Sequence, residues 1–138
     1  MSDIPEGYRP IERASPFVEL IGPVYERRRG ERVSIGLRIE RKHTNRRGVC
    51  HGGVLATLAD IALGYAMLGR AGAKGGFVTA NLAIDYAGAA KLGDWLHSEV
   101  EIQRMGSRLA FANGYLVRGE TRIVRASAIF ALPGRPAG

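Results

Sequence analysis

One acidic side chain, Asp60, interrupts a run of apolar residues that extends from Val54 to Leu68. The run has no proline and many residues that favour helices, so we expect a helix that is buried on all sides. A carboxylate on such a helix costs several kcal/mol, on the order of the penalty for burying an ion, unless it is paired, hydrogen-bonded or neutral. Thr57, one turn earlier, could donate its hydroxyl to the carboxylate. Asp60 is therefore either a structural polar contact at a subunit interface or a general base or nucleophile in a partly dry pocket.

A polar, glycine-containing turn precedes this helix and could bind an anion. Backbone N–H groups and the positive end of the helix dipole gather at a helix N-terminus, where they favour a developing oxyanion. Gly52 and Gly53 leave room for a ligand to approach, and Asn45 and His51 could add hydrogen bonds. The alternative is an ordinary glycine-rich turn. The pattern is neither a P-loop nor a G-x-G-x-x-G nucleotide motif.

The spacing of these two features suggests a site shared between subunits. Gly52 and Asp60 are eight residues apart, which is roughly 12 Å along a helix. One carbonyl group cannot contact the Gly52 amide and lie within reach of Asp60 of the same chain. If both act on one bond, the carboxylate comes from a second copy, and a two-fold dimer then has two identical composite sites.

These residues resemble a known family. The pattern Asn45-x5-His51-Gly52-Gly53-x6-Asp60 is similar to the signature of PaaI-like acyl-CoA thioesterases, which have the hotdog fold. The resemblance continues through the segment AAKLGD at residues 89–94 and covers most of the chain, from about residue 17 to 132. It implies an α+β hotdog fold, in which an antiparallel sheet of five to six strands wraps around one central helix. It also implies a homodimer that pairs again into a dimer of dimers.

The resemblance further implies hydrolysis of an aryl- or fatty-acyl-CoA thioester to the free acid and CoA. The Gly52 amide and the Asn45 side chain would polarise the thioester carbonyl and stabilise the oxyanion. Asp60 of the other subunit would activate water, or would attack directly to form an anhydride.

Further roles follow from the alignment with this family. Thr79 falls where a Ser or Thr orients the water or the carboxylate, although it could equally be an ordinary strand residue. His51 would shape the turn or hydrogen-bond the substrate carbonyl, and Gly53 would lie against the substrate; a purely structural role for His51 is the alternative. The CoA phosphates would meet the region of Arg104, Ser107 and Arg108, which otherwise form a plain hairpin turn with solvated arginines.

Composition predicts one globular domain in a reducing compartment. The chain has 138 residues, of which 46% are hydrophobic and 24% charged, as in an ordinary globular protein. A single cysteine, Cys50, excludes an intrachain disulfide. Its position next to His51 would suit a nucleophile, but adjacent side chains rarely face each other, so a buried thiol is favoured. No apolar run precedes residue 17, so we expect no signal peptide or membrane anchor and a cytoplasmic location.

The net charge of +7 favours anionic partners, of which CoA is one. Nucleic acid is another, through arginines such as Arg27 to Arg29, but no nucleic-acid motif or aromatic platform accompanies them. We therefore expect neither nucleic acid nor membrane as a partner. The three histidines lack metal-ligand spacing, so we expect no metal and no cofactor other than the CoA of the substrate. A module that binds acyl-CoA without hydrolysing it is the alternative function.

The remaining elements follow from periodicity and turn signals. We expect a flexible arm at residues 1–14, a single domain at residues 15–132 and a disordered tail at residues 133–138. Ser15-Pro16 predicts a capped short helix to Ile21. Strands are predicted at 24–29, 32–42, 76–87, 93–104, 109–118 and 122–132. Short connections after the central helix predict an antiparallel sheet.

Overall fold

A computed structural model describes residues 3–70 and 75–133. The elements, in chain order, are β1 (Arg9–Pro10), α1 (Pro16–Ile21), β2 (Tyr25–Arg29), β3 (Arg32–Arg38), a 3-10 turn (Arg41–His43), α2 (Gly52–Leu68), β4 (Val78–Tyr86), β5 (Trp95–Met105), β6 (Leu109–Arg118) and β7 (Thr121–Ala131). The strands form one antiparallel sheet in the order β1-β2-β3-β5-β6-β7-β4. The sheet packs on α2, so the predicted α+β hotdog layout is confirmed.

The sheet has seven strands rather than the predicted five to six, because part of the N-terminal arm joins it. Arg9–Pro10 pair with the outer edge of β2, and Ile11 is buried. The Tyr8 hydroxyl hydrogen-bonds the Ser34 hydroxyl at 2.6 Å. Proline is tolerated in such a strand because only one edge is paired.

The segment between β3 and α2 contains less strand and more turn structure than predicted. Extended pairing stops at Arg38, and the chain then forms the 3-10 turn instead of continuing as a strand to residue 42. His43 in that turn is buried, and its Nδ1 accepts the Glu40 N–H at 2.9 Å. Its Nε2 faces the Ile21 carbonyl at 2.5 Å, which ties the end of α1 to this turn. The predicted cap of α1 is confirmed, since the Ser15 hydroxyl accepts the Val18 N–H.

One side of α2 forms the centre of the hydrophobic core. Its buried residues are Leu55, Leu58, Ala59, Ala62, Leu63, Ala66 and Met67. The opposite side, which carries Ala56, Asp60 and Gly64 at a spacing of four, is only partly buried. The prediction that this helix is buried on all sides is therefore wrong for a single chain, because one sheet covers only part of its circumference.

The two ends of the domain lie partly outside the described residues. α2 ends at Leu68 with Gly69 as its C-cap, within the predicted region of residues 69–75, of which 71–74 are outside the described residues. The predicted tail is likewise outside them from residue 134 onward. Among residues 3–70 and 75–133, no helix is long and apolar enough to cross a membrane.

The pairing between β3 and β5 is short, with only three residues from each strand. Ser98 interrupts the ladder: its Oγ accepts the Ile35 N–H at 2.8 Å, and its carbonyl accepts the Ser34 hydroxyl at 2.9 Å. Beyond this point the strands separate and leave an open cleft of about 690 Å³, which His97 helps to line.

We expect His97 to make stability depend on pH. Burial lowers the pKa of His97 below its ordinary value of 6.5; Arg27 adds to this effect and Glu99 opposes it. The unfolded chain then binds more protons than the folded chain between the lowered pKa and 6.5, so the free energy of unfolding falls as the pH drops below 6.5. Urea unfolding of wild type and His97→Gln at a series of pH values between about 5 and 8 measures this. A slope that is identical in the two proteins would contradict the assignment.

Candidate functional site

The N-terminus of α2 is fixed by the side chain of its own cap residue. His51 has extended backbone angles, and its Nδ1 accepts the Gly53 N–H at 2.8 Å. This requires the His51 tautomer in which Nδ1 carries no proton. The His51 N–H in turn donates to the His43 carbonyl at 2.8 Å. His51 therefore caps the helix in this chain.

Gly52 keeps one backbone donor available. Within residues 3–70 and 75–133, its N–H has no hydrogen-bond partner. Its carbonyl accepts the Tyr86 hydroxyl at 2.7 Å. The Tyr86 ring also lies beside the Gly52 Cα, since a Cβ added there would be 3.4 Å from it. Tyr86 was not predicted as a site residue, because nothing in the local sequence links it to a glycine 34 residues away.

Asn45 lies in the loop before the helix, where its side chain organises the backbone. Its Oδ1 accepts the Arg47 N–H at 2.9 Å and the Val49 N–H at 3.4 Å. These bonds use the oxygen only. The amide NH2 group has no partner in the described part of the chain and can donate to a ligand.

The AAKLGD segment at residues 89–94 contacts the loop that precedes α2 through backbone hydrogen bonds. The Cys50 N–H donates to the Ala90 carbonyl at 2.8 Å, and Val49 forms a bridge with Lys91. Asp94 closes the turn, because its Oδ2 accepts the Lys91 N–H at 2.7 Å. The segment thus positions the approach to α2 rather than contributing a reactive group.

Asp60 receives its hydrogen bond from the neighbouring strand. The Thr79 hydroxyl donates to Asp60 Oδ1 at 2.8 Å. Thr57, which we expected to be a possible donor, instead bonds the Gly53 carbonyl at 2.9 Å, so that expectation is wrong. A threonine in a helix commonly donates to the carbonyl one turn earlier. Asp60 is partly buried in the single chain and its second oxygen remains available.

The two halves of the candidate site are separated along one rigid helix. Gly52 is the first residue of α2 and Asp60 lies two turns further on, about 12 Å away at the rise of an α-helix. A thioester carbonyl cannot contact both in one chain. The half-exposed side of α2 around Asp60 is where a second copy could supply the missing half.

Arg104, Ser107 and Arg108 lie at the end of the sheet that carries Thr79. Thr79 is in register with Met105, which precedes the β5–β6 turn, across the intervening strands β7 and β6. That distance is about 14 Å at roughly 4.8 Å per strand. None of these three side chains makes a hydrogen bond or an ion pair within the described residues. They are thus available for an anion but are not in contact with the Asp60 carboxylate.

Cys50 is buried beside the site, and its environment disfavours a thiolate. Burial raises the pKa of the Cys50 thiol from 9.0 to about 11. At pH 8 we expect alkylation of the native protein to be about 100-fold slower than alkylation of the urea-unfolded chain, since the thiolate is the reactive form. Mass spectrometry of time points with iodoacetamide measures both rates. Equal rates would contradict this, because they would show that the native thiol is as accessible and as acidic as the thiol of the unfolded chain.

No metal centre is evident in the part of the chain that the structure describes: no group of three or more His, Cys, Asp or Glu is arranged to hold an ion. The groups available for chemistry are a carboxylate, a hydroxyl, an amide and a backbone N–H. This set can activate water and stabilise an oxyanion.

Comparison with known proteins identifies the family. Residues 47–125 match the model of the thioesterase superfamily. A putative esterase of Pseudomonas aeruginosa is 42% identical over 134 residues, which cover 96% of this chain and 100% of that protein. Mouse acyl-coenzyme A thioesterase 13 is 36% identical over 84 residues, but the match spans only 60% of this chain and 59% of that protein.

A solved structure agrees with this at the level of the fold. The PaaI protein from the phenylacetic acid degradation operon of E. coli superposes with a TM-score of 0.76, covers 87% of this chain and 86% of its own, and is 19% identical. The PaaI-like resemblance of the sequence is thus confirmed for the fold. The chain therefore belongs to the thioesterase superfamily, and its class, thioester hydrolase, is the one that its sequence motifs predict.

Proposed function

We propose that this chain hydrolyses acyl-CoA thioesters at sites formed by two subunits. The Gly52 N–H and the Asn45 amide of one subunit hold the thioester carbonyl, and Asp60 of the other subunit acts on it. The observation that carries the proposal is a pair of groups on α2 that one substrate cannot contact together in a single chain. They are the free backbone N–H at the start of the helix and, two turns later, the carboxylate that Thr79 hydrogen-bonds. The 36% identity to an acyl-coenzyme A thioesterase supports the substrate class.

The reaction proceeds through a tetrahedral intermediate. Asp60 removes a proton from water while the water oxygen attacks the thioester carbon. Negative charge develops on the carbonyl oxygen, where the Gly52 N–H and Asn45 NH2 stabilise it. The intermediate then collapses, the C–S bond breaks, and the CoA sulfur takes up the proton from Asp60. Thr79 holds one carboxylate oxygen, so the other is free to face the water.

A direct attack by Asp60 is the other route consistent with this geometry. Asp60 would form a mixed anhydride with the acyl group and release CoA, and water would then hydrolyse the anhydride. The two routes differ in whether the acyl group is bound covalently to the protein. Rapid acid quench followed by intact-protein mass spectrometry distinguishes them, because only the anhydride route gives an acyl adduct.

A homodimer through β4 fits the free surfaces of the single chain. Among the described residues, β4 is the last strand of the sheet and pairs only with β7; it has nine residues and no proline. Such an edge is normally covered in a native protein. Antiparallel pairing with the β4 of a second copy would join the two sheets and place the two α2 helices side by side. A second pairing of dimers into a tetramer is part of the same proposal.

The CoA end of the substrate is proposed to lie near Arg104, Ser107 and Arg108. The guanidinium groups suit phosphate by charge and by their paired N–H donors. The acyl group, aryl or fatty, would enter between the two α2 helices. The proposed reaction uses only protein groups and water, without a metal or a further cofactor.

Release of free thiol from a panel of acyl-CoA thioesters tests the proposed function. Phenylacetyl-, hydroxybenzoyl- and medium-chain acyl-CoA are compared at equal concentration, with binding of each measured by calorimetry. Turnover of at least one of them supports the hydrolase. Binding without turnover in any of them would instead support a non-catalytic acyl-CoA binding module.

A further inference from the structure

We infer that Tyr86 is a positioning residue for the oxyanion donor: together with His51 it holds the Gly52–Gly53 peptide group so that the Gly52 N–H points at the thioester oxygen. This inference rests on the proposed function. It adds to that proposal a residue that the sequence motif does not contain.

The geometry places one hydrogen bond on each side of a single peptide group. The carbonyl oxygen of Gly52 accepts the Tyr86 hydroxyl at 2.7 Å. The N–H of the same peptide group, which belongs to Gly53, donates to His51 Nδ1 at 2.8 Å. A peptide group is planar and rigid, so two such bonds fix its orientation. The adjoining donor, the Gly52 N–H, is the one left without a partner in the described chain.

Two consecutive glycines at the start of α2 impose little steric restraint on the backbone there. Glycine has access to more backbone conformations than any other residue, and the first turn of a helix has no intrahelical partners for its N–H groups. The peptide group that carries the Gly52 N–H is held by the helix itself, because the His51 carbonyl accepts the Val54 N–H at 2.9 Å and the Leu55 N–H at 3.2 Å. The Tyr86 and His51 side-chain bonds restrain the next peptide group, so both peptide groups that flank the Gly52 Cα are restrained. Electrostatic stabilisation of a transition state requires donors that are oriented beforehand.

The placement of Tyr86 argues against a role in core packing. It is the last residue of β4 and is 53% exposed in the single chain. Its hydroxyl bond to Gly52 connects the strand directly to the helix N-terminus. β4 therefore hydrogen-bonds to both groups of the proposed site, because Thr79, near its other end, donates to Asp60. In a two-fold dimer, each β4 would serve both composite sites.

The test compares Tyr86→Phe with wild type. This substitution keeps the ring and removes only the hydroxyl donor. We expect kcat to fall about 3–10-fold, the range for loss of one neutral hydrogen bond, while KM changes less than about twofold. An acyl-CoA analogue with a trifluoromethyl ketone, which mimics the oxyanion, should bind more weakly by the same factor. A thioether analogue, which lacks the carbonyl, should bind equally well.

Tyr115→Phe is the matched control, because Tyr115 stacks under Arg122 away from Gly52. This substitution should leave kcat, KM and the affinities for the ketone and the thioether analogue unchanged. A wild-type kcat and unchanged affinity for the ketone in Tyr86→Phe would overturn the inference. If wild type hydrolyses none of the substrates, the proposed function fails instead. Hydrogen exchange of the Gly53 amide then tests whether Tyr86 restrains the Gly52–Gly53 peptide group. We expect this exchange to be several-fold faster in Tyr86→Phe than in Tyr115→Phe, and equal rates would overturn the inference.

Discussion

Asp60→Asn is expected to lower kcat/KM for acyl-CoA hydrolysis by about 100–10,000-fold, the range attributed to a general base. The carboxamide cannot accept a proton from water at neutral pH and is no nucleophile. Its oxygen can still accept the Thr79 hydroxyl bond, so the local structure should persist. Thiol release under single-turnover conditions measures the loss.

Substrate binding is the control for Asp60→Asn. Affinity for a thioether analogue and the thermal unfolding midpoint should both remain close to those of wild type, because asparagine has nearly the shape of aspartate and can still accept the Thr79 hydroxyl bond. Retention of more than about a tenth of wild-type kcat/KM would exclude Asp60 as the general base or nucleophile.

Gly52→Pro is expected to reduce kcat by about 100–1,000-fold, the range for loss of one oxyanion donor. Proline has no N–H, and Gly52 is the first residue of α2, a position that proline tolerates well. His51 already has the extended backbone that a residue before proline requires. The substitution therefore removes the donor with little cost to the helix.

Gly52→Ala separates the effect of the donor from that of the added side-chain atom. Both substitutions place a Cβ 3.4 Å from the Tyr86 ring, but alanine retains the N–H. We expect alanine to retain at least tenfold more activity than proline in the same thiol-release assay. Equal losses would assign the effect to crowding against Tyr86 and not to the N–H.

The elements that carry these groups could be predicted because their signals are local. A run of mostly apolar residues predicts α2, and Ser15-Pro16 predicts the start of α1. These signals depend on residues within a few positions of each other. The start of α2 was expected at Val54 and lies at Gly52, because the His51 cap extends the helix by one half turn.

Contacts between distant segments could not be predicted from local signals. The Tyr86–Gly52 bond spans 34 residues, and a tyrosine at the end of a strand has no sequence mark of such a partner. Thr79 was singled out only through the family resemblance. Arg9–Pro10 have no strand periodicity, so their pairing with β2 was missed. The partly exposed side of α2 was missed for the same reason. An apolar sequence predicts that a helix is buried, but it does not show which part of the protein covers the helix.

Subunit complementation tests the central claim, that each site takes its acid group and its oxyanion donor from different chains. Asp60→Asn and Gly52→Pro chains are unfolded together in equal amounts and refolded, with each variant refolded alone as a control. Random assembly makes half of the dimers mixed, and each mixed dimer has one intact site of two, so we predict about a quarter of wild-type activity. Activity no greater than that of the two variants refolded separately, in preparations shown to contain mixed dimers, would contradict the shared site.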